Sequence, residues 1–137
     1  MIVFLFSSER MFLKRDDTSS ILQIASQIRE RSKIMDDCIF CNQADFLIEN
    51  ELAGAFFDKY PVNEGHLLVI PKNHRQDYFS LTLQEKAAID ALLIEGKRYL
   101  EAHFHPAGFN IGCNCGITAG QSIMHCHIHV IPRYVGD

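Results

Sequence analysis

From residue 125 to 131 the chain reads His-Cys-His-Ile-His-Val-Ile, imidazoles alternating with apolar side chains. Period-two alternation is the pattern of a β-strand, whose successive side chains point to opposite faces. On such a strand His125, His127 and His129 share one face, with neighbours about 6.6–7 Å apart, while Cys126, Ile128 and Val130 face a core. Imidazoles are expensive to bury without partners. A lone histidine is more often structural, but three in strict alternation point to a site. Two chemistries use such a strand. Histidines at i and i+2 bind metal, which allows a catalytic zinc centre. Alternatively, one neutral imidazole attacks phosphorus while a neighbour orients it or protonates the leaving group.

The flanking residues favour the second chemistry. Just upstream, Asn114-Cys-Gly-Ile-Thr-Ala-Gly120-Gln121-Ser122 is a loop of small residues and neutral hydrogen-bond donors. Such a loop can hold phosphate oxygens through backbone amides and side-chain donors without a metal. From Ala102 to Gly136 there is no Asp or Glu, yet this stretch holds five histidines and Arg133. In a protein of net charge −4 that suits a small anionic ligand, although a buried strand pair also carries few charges. The negative balance argues against a binder of nucleic-acid backbone. No apolar run reaches the length of a membrane-spanning helix. The apolar opening, residues 1–6, is too short for a signal-peptide core and lacks a basic start, so the expected location is cytoplasmic.

Residues 1–34 differ from the rest: they carry a charge of +2, against −6 for residues 35–137. Ser19 or Ser20 can cap a short helix with Ile21, Ile24, Ala25 and Ile28 on one face, and Met35 makes a natural beginning. The segment is read as a dispensable extension, and residues 35–137 as one domain. There the pattern is α+β. Residues 45–48 and 53–58 read as strands joined by a turn at Asn50 and Glu51, and residues 66–70 as a third strand closed by Pro71. Thr82 starts a helix with Glu85 completing a capping box. Its apolar stripe is Ile89, Leu92, Leu93, Tyr99 and Leu100, with Gly96 as a close-approach point. Residues 108–115 and 124–134 are the last two strands. An odd cysteine count of five argues against a disulfide framework. Cys38 and Cys41 have metal-ligand spacing, whereas Cys113, Cys115 and Cys126 read as small apolar fillers.

The run Gly120-Gln121-Ser122-Ile-Met-His125-Cys-His127-Ile-His129-Val-Ile131-Pro132-Arg133 closely resembles the signature of the histidine triad (HIT) family. Residues 56–74, from Phe56-Phe-Asp58 through Gly65-His66 to Pro71-Lys72-Asn-His74, resemble the other half of that family's site, and the likeness spans residues 36–134. The resemblance implies a curved antiparallel sheet with a long helix, a homodimer, and hydrolysis or transfer at the α-phosphorus of a purine nucleotide. It makes His127 the nucleophile that forms a nucleotidyl-histidine, His129 the donor to phosphate or leaving group, and His66 the member that completes the cluster. Asn114, Gln121 and Ser122 match phosphate contacts. Asp58 matches the acceptor of the ribose hydroxyls, and Phe56 and Leu68 the purine pocket.

Cys38, Cys41, His74 and His125 match the ligands of a structural zinc carried by a subset of the family. No redox cofactor is implied. Two departures stand out: Lys59 where many relatives have an apolar residue, and an end at Asp137 where many continue. His103 and His105 are read as surface residues at the helix end. The substrate stays open among a dinucleoside polyphosphate, an adenosine phosphoramidate and an adenylyl sulfate. A nucleotide- or partner-binding module with little turnover, and a zinc-dependent hydrolase using the three histidines as ligands, are the competing classes.

Overall fold

The computed structural model describes residues 18–137, which divide into two compact units meeting between Lys33 and Ile34. Helix α1, Thr18–Asp37, is longer than the short helix expected, and none of its residues is buried. Ile21, Ile24 and Ile28 are all exposed along it. The expected boundary at residue 34 falls inside this helix. Among the described residues no helix is long and apolar enough to cross a membrane.

The second unit holds five strands, β1 (Ile48–Glu49), β2 (Ala53–Phe57), β3 (Leu67–Pro71), β4 (Gly108–Gly112) and β5 (Ile128–Arg133), and the long helix α2 (Leu83–Phe104). They form one antiparallel sheet in the order β1-β2-β3-β5-β4. This is the expected α+β architecture. Alternation sets the layers: Ala53, Ala55, Leu67, Val69, Ile128 and Val130 form one core with Ile89, Leu92 and Leu100 of α2. The residues between them, Phe56, Leu68 and Ile70, pack with Phe40 on the opposite face. One face is therefore sealed by a helix, and the other is left for chemistry.

Two devices fix α2. Thr82 caps it, its hydroxyl accepting from Glu85 N–H at 3.1 Å while the Glu85 carboxylate accepts from Thr82 N–H at 3.0 Å. Glu85 is buried and also receives Arg75 Nε at 2.8 Å; against its desolvation, the hydrogen bonds from Thr82 and then this charge-assisted bond hold its carboxyl below the usual carboxylate range. Gly96 lets α2 approach Leu67, where a Cβ would stand 3.3 Å from its methyl. At the other end His105 adopts the left-handed cap conformation with φ 53°, and His103 bonds Tyr99 O and stacks on that ring.

Several boundaries differ from the sequence reading. The expected strand over residues 45–48 shrinks to β1, because Phe46 turns inward and lies directly over Gly54, leaving no room for a Cβ there. The Asn50 side chain shapes the turn, accepting from Leu52 N and Ala53 N and donating to Ala88 O of α2. β3 begins at Leu67 and includes Pro71 at its end, paired with Ala53. The largest difference concerns the last two strands. β4 stops at Gly112 and β5 starts at Ile128, so His125 and His127 precede the strand that was expected to carry all three histidines. Between them the chain leaves the sheet in a loop with a 3-10 turn at Ile117–Ala119.

Candidate active site

The histidine-rich segment serves two sites instead of one. The ring centroids of His127 and His129 lie 5.1 Å apart, and the Phe40 ring lies against both His125 and His127, while Cys126 between them joins the α2-side core. His125, ahead of the ladder, directs its Nδ1 toward Cys38 and Cys41.

Hydrogen bonding assigns the tautomer of each ring. His127 Nδ1 lies 2.8 Å from the carbonyl oxygen of His125. A carbonyl only accepts, so Nδ1 carries the proton and Nε2 keeps its lone pair. His66 Nδ1 lies 3.1 Å from the backbone N–H of Val62, which only donates, so in the neutral ring the proton sits on Nε2. That Nε2–H points at His129 Nδ1, 2.9 Å away, and His129 in turn carries its proton on Nε2. Burial lowers the pKa of both His66 and His129, with Asp58 opposing, so the neutral forms on which this assignment rests hold at pH 7. The result is a directed chain from Val62 N–H through His66 to His129 Nε2–H, beside a ring whose Nε2 keeps its lone pair.

Asp58 approaches this chain at 3.7 Å from His66 Nε2 and accepts Tyr60 N–H through its other oxygen. Asp58, His66 and His129 are close enough to consider as a metal set. The tautomers argue otherwise, because the Nδ1 lone pair of His66 is taken by Val62 and its Nε2 bears a proton.

The second cluster is Cys38, Cys41, His74 and His125, whose ligand atoms all lie within 4.8 Å of one another. His125 Nε2 donates to Pro71 O at 2.8 Å, leaving Nδ1 as a lone pair facing both thiols at 3.5 Å. An outer carbonyl fixing the ring of a ligating histidine is the usual support of a zinc site. His74 Nδ1 stands 3.1 Å from Cys41 Sγ. Burial, then neighbouring Cys38, pushes the Cys41 thiol up to about 12, so without a cation it keeps its proton. Two thiolates and two imidazoles fit a closed tetrahedral zinc site with no position left for substrate.

A cleft of about 360 Å³ opens beside Asp58, lined by Phe40, Phe56, Leu68, Ile123 and Asp58, with Lys59 at its rim. Phe56 and Leu68 were expected here. Phe40 and Ile123 were not, although Phe40 could have been flagged as the apolar residue between two candidate ligands. Its ring centroid lies 5.5 Å from that of Phe56 and 5.3 Å from that of His127, joining the cleft to that histidine. Lys59 is exposed and lies against the Tyr60 ring.

In the loop expected to hold phosphate, the Gln121 side chain is engaged by the protein itself. Its buried amide accepts from Gly116 N–H at 2.8 Å and donates to Gln76 O and Ile123 O. These bonds hold the loop in shape. The N–H groups of Gly116, Ala119, Gly120 and Gln121 are likewise spent within the loop. Asn114 bonds Gly120 O, and Ser122 is exposed.

A family model described as "HIT domain" matches residues 40–136. An uncharacterised 16.1 kDa HIT-like protein of Mycoplasma pneumoniae is 40% identical over 113 residues, covering 78% of both chains. AP-4-A phosphorylase of Mycobacterium tuberculosis is 33% identical over 91% of this chain and 62% of its own length. Among solved structures, a HIT family protein from Bacillus anthracis superposes with TM-score 0.69 at 40% identity, over 74% of this chain and 76% of the other. A Zn-bound histidine triad family protein from Mycobacterium smegmatis gives 0.68 at 33%, over 75% and 79%. Plasmodium falciparum diadenosine triphosphate hydrolase gives 0.60 at 31%, over 66% and 61%.

Proposed function

Because the chain belongs to the HIT family, we propose that it is a nucleotide hydrolase or nucleotidyltransferase working through a nucleotidyl adduct on His127. The relatives named for AP-4-A and diadenosine triphosphate support a nucleotide substrate. The observation that carries the reading is the pair of fixed tautomers: His127 Nε2 with its lone pair, and His129 Nε2 with its proton. Attack needs the first, and stabilising a developing negative oxygen needs the second.

A purine lies in the Phe40–Phe56–Leu68 cleft and Asp58 accepts from the ribose hydroxyls, which brings the α-phosphorus to His127. Nε2 attacks, a P–N bond forms, and the leaving oxygen departs with its electron pair under a hydrogen bond from His129. The positive charge on the His127 ring is met by the His125 carbonyl. Water, or a second acceptor in a transferase, then attacks phosphorus and returns the P–N electron pair to Nε2. Ser122 and Asn114 meet the phosphate oxygens, while Gln121 keeps the loop in shape. Cys38, Cys41, His74 and His125 would hold zinc, which would supply cross-linking there. A zinc hydrolase using all three triad histidines is disfavoured, since His125 points to the thiols. We propose a cytoplasmic homodimer as the working form.

Rapid quenching with a labelled adenylylated substrate tests the mechanism. The expected result is an acid-labile, base-stable adduct on His127 and net retention at phosphorus, from two inversions. Inversion without an adduct means that water attacks directly and the proposal fails. Turnover of dinucleoside polyphosphates, phosphoramidates and adenylyl sulfate, compared in water and with added phosphate, ranks substrates and acceptors.

A further inference from the structure

The turn that leads into β3 decides the state of His66, because it presents the Val62 N–H to His66 Nδ1 at 3.1 Å. Val62 lies between β2 and β3, outside the strand ladder, and its side chain is exposed. Its position is set by its neighbour. Asn63 turns its amide to the end of β5, where Nδ2 donates to Pro132 O at 3.1 Å and to Asp137 Oδ2 at 2.6 Å. Both protons of that nitrogen are engaged. The Asn63 carbonyl accepts from His66 N–H at 3.1 Å and closes the turn. β5 also carries His129, so one side chain ties the donor that begins the relay to the strand that ends it.

We propose that Asn63 is the positioning residue of the histidine relay: by tying the turn to β5 it holds the Val62 N–H on His66 Nδ1, and so fixes the His66 proton on the nitrogen that faces His129. A neutral imidazole carries its proton on either nitrogen, and its hydrogen-bond partners choose between the two. With the Val62 N–H in place, Nδ1 accepts and Nε2 donates to His129. Once that N–H is displaced, His66 can carry its proton on Nδ1. Its Nε2 then accepts from His129 Nδ1–H, and His129 Nε2 holds a lone pair where the proposed reaction needs a proton. Asp58 Oδ2, 3.7 Å from His66 Nε2, is beyond hydrogen-bonding distance and does not replace Val62. The consequence for turnover rests on the catalytic reading of His127 and His129.

The same tie acts on the charged form of His66. A protonated ring donates from both nitrogens, and a donor already aimed at Nδ1 opposes it. Burial disfavours the charged ring most, Asp58 favours it, and Arg133 of β5 opposes it again. Glu64 and Phe104 line the cleft beside it, and the His129 ring faces it from β5. Loss of the Asn63 amide removes none of these groups, so it makes His66 easier to protonate through Val62 alone.

The test uses the full chain prepared with zinc, and compares it with Asn63→Ala, or with the uncharged near-isostere Asn63→Leu should the alanine variant fail to fold. Heteronuclear NMR of the histidine ring nitrogens reads the His66 tautomer at neutral pH, and turnover of diadenosine tetraphosphate is followed against pH. The unmodified protein should carry the His66 proton on Nε2 alone. The variant should show mixed tautomers, a kcat about tenfold lower with KM within about twofold, and an acid limb moved up by about half a pH unit. Tyr134 supplies the control, since its hydroxyl donates to Glu64 O at 2.7 Å and braces the same turn without reaching Val62. Tyr134→Phe should keep the tautomer and the pH profile of the unmodified protein. An Asn63 variant that is only less stable, with tautomer and acid limb unmoved, overturns the proposal, and so does an equal shift in Tyr134→Phe. Absent turnover in the unmodified protein counts against the catalytic reading, while the ring spectra still judge Asn63.

Discussion

His125 and His127 are two residues apart, and their rings belong to clusters of opposite character. Around His125 every ligand atom converges on a central point: two sulfurs and two Nδ1 atoms within 4.8 Å of one another, with the Nε2 of His125 bound outward to Pro71 O. Around His127 the hydrogen bonds run in a line, from Val62 N–H through His66 to His129, ending on a proton with no protein acceptor among the described residues. The first arrangement is closed and has the donor set for the cation proposed above. The second is open toward the substrate proposed above. The carbonyl of His125 is the join between them, since it accepts from His127 Nδ1. The backbone of the first cluster thus sets the tautomer of His127 in the second.

That contrast sets the expected effects. The largest is His127→Ala, which should lower kcat by about a thousandfold or more while leaving nucleotide affinity within about tenfold and the melting temperature nearly unchanged. Stopped-flow turnover and calorimetric binding check this. A large loss of affinity instead would make His127 a binding residue and erase the distinction.

Cys38→Ser should do the reverse, lowering zinc content and costing on the order of 3 kcal/mol of stability. Turnover per folded molecule should fall by less than about tenfold, because the cluster around His125 touches His127 through a carbonyl and the Phe40 ring and supplies no reacting group. If catalysis vanishes in a demonstrably folded variant and added zinc restores it, the metal is part of the reaction.

The pH dependence sharpens the difference further. Burial lowers the pKa of His66 and His129 below the ordinary 6.5, with neighbouring histidines also acting on His129. The unfolded chain therefore binds protons more readily there. Their contribution to stability is complete above pH 6.5 and is lost as pH falls through the folded values. Turnover should follow, flat above that point and falling on the acid side with a midpoint below 6.5, as proton loading breaks the relay. A midpoint at or above the ordinary value would contradict the buried, neutral relay.

Asp58→Ala carries a smaller effect. Ribonucleotides should bind about 1–3 kcal/mol more weakly, and 2′,3′-dideoxy analogues should hardly change. Equal weakening of both would move Asp58 from the ribose to the support of His66, its other neighbour at 3.7 Å. The smallest effect is expected from a chain beginning at Met35, which should keep full turnover and dimerise as the whole chain does. Sedimentation and rate measurements decide it, and a loss of either makes the Ile21–Ile28 face an integral part of the protein.

Much of this was legible in the sequence, for local reasons. The capping box at Thr82 and Glu85 depends on four consecutive residues and formed as expected. Strand alternation assigned Cys126, Ile128 and Val130 to the core, where they are buried. The spacing of Cys38 and Cys41 flagged a metal site, and a resemblance supplied His74 and His125, which the fold brings together. Gln121 shows the limit. Its residue type suits a phosphate, and only the positions of Gly116, Gln76 and Ile123 around it reveal that its amide is already engaged.

By itself the sequence determined which residue types lie at which spacing, and hence the strands, the helix and the list of reactive side chains. Only the tertiary structure decided which of those side chains meet. The period-two rule holds while a strand is in its ladder, and β5 enters the ladder at Ile128, one residue after His127. Ahead of that point the backbone follows the contacts that hold it, including Cys126 N–H to Arg75 O at 2.6 Å and the His125 ring to Pro71 O. Those partners lie about fifty residues upstream. Hydrogen-bond direction is fixed in the same way, because a ring nitrogen carries or lacks its proton according to whether a distant backbone group accepts or donates.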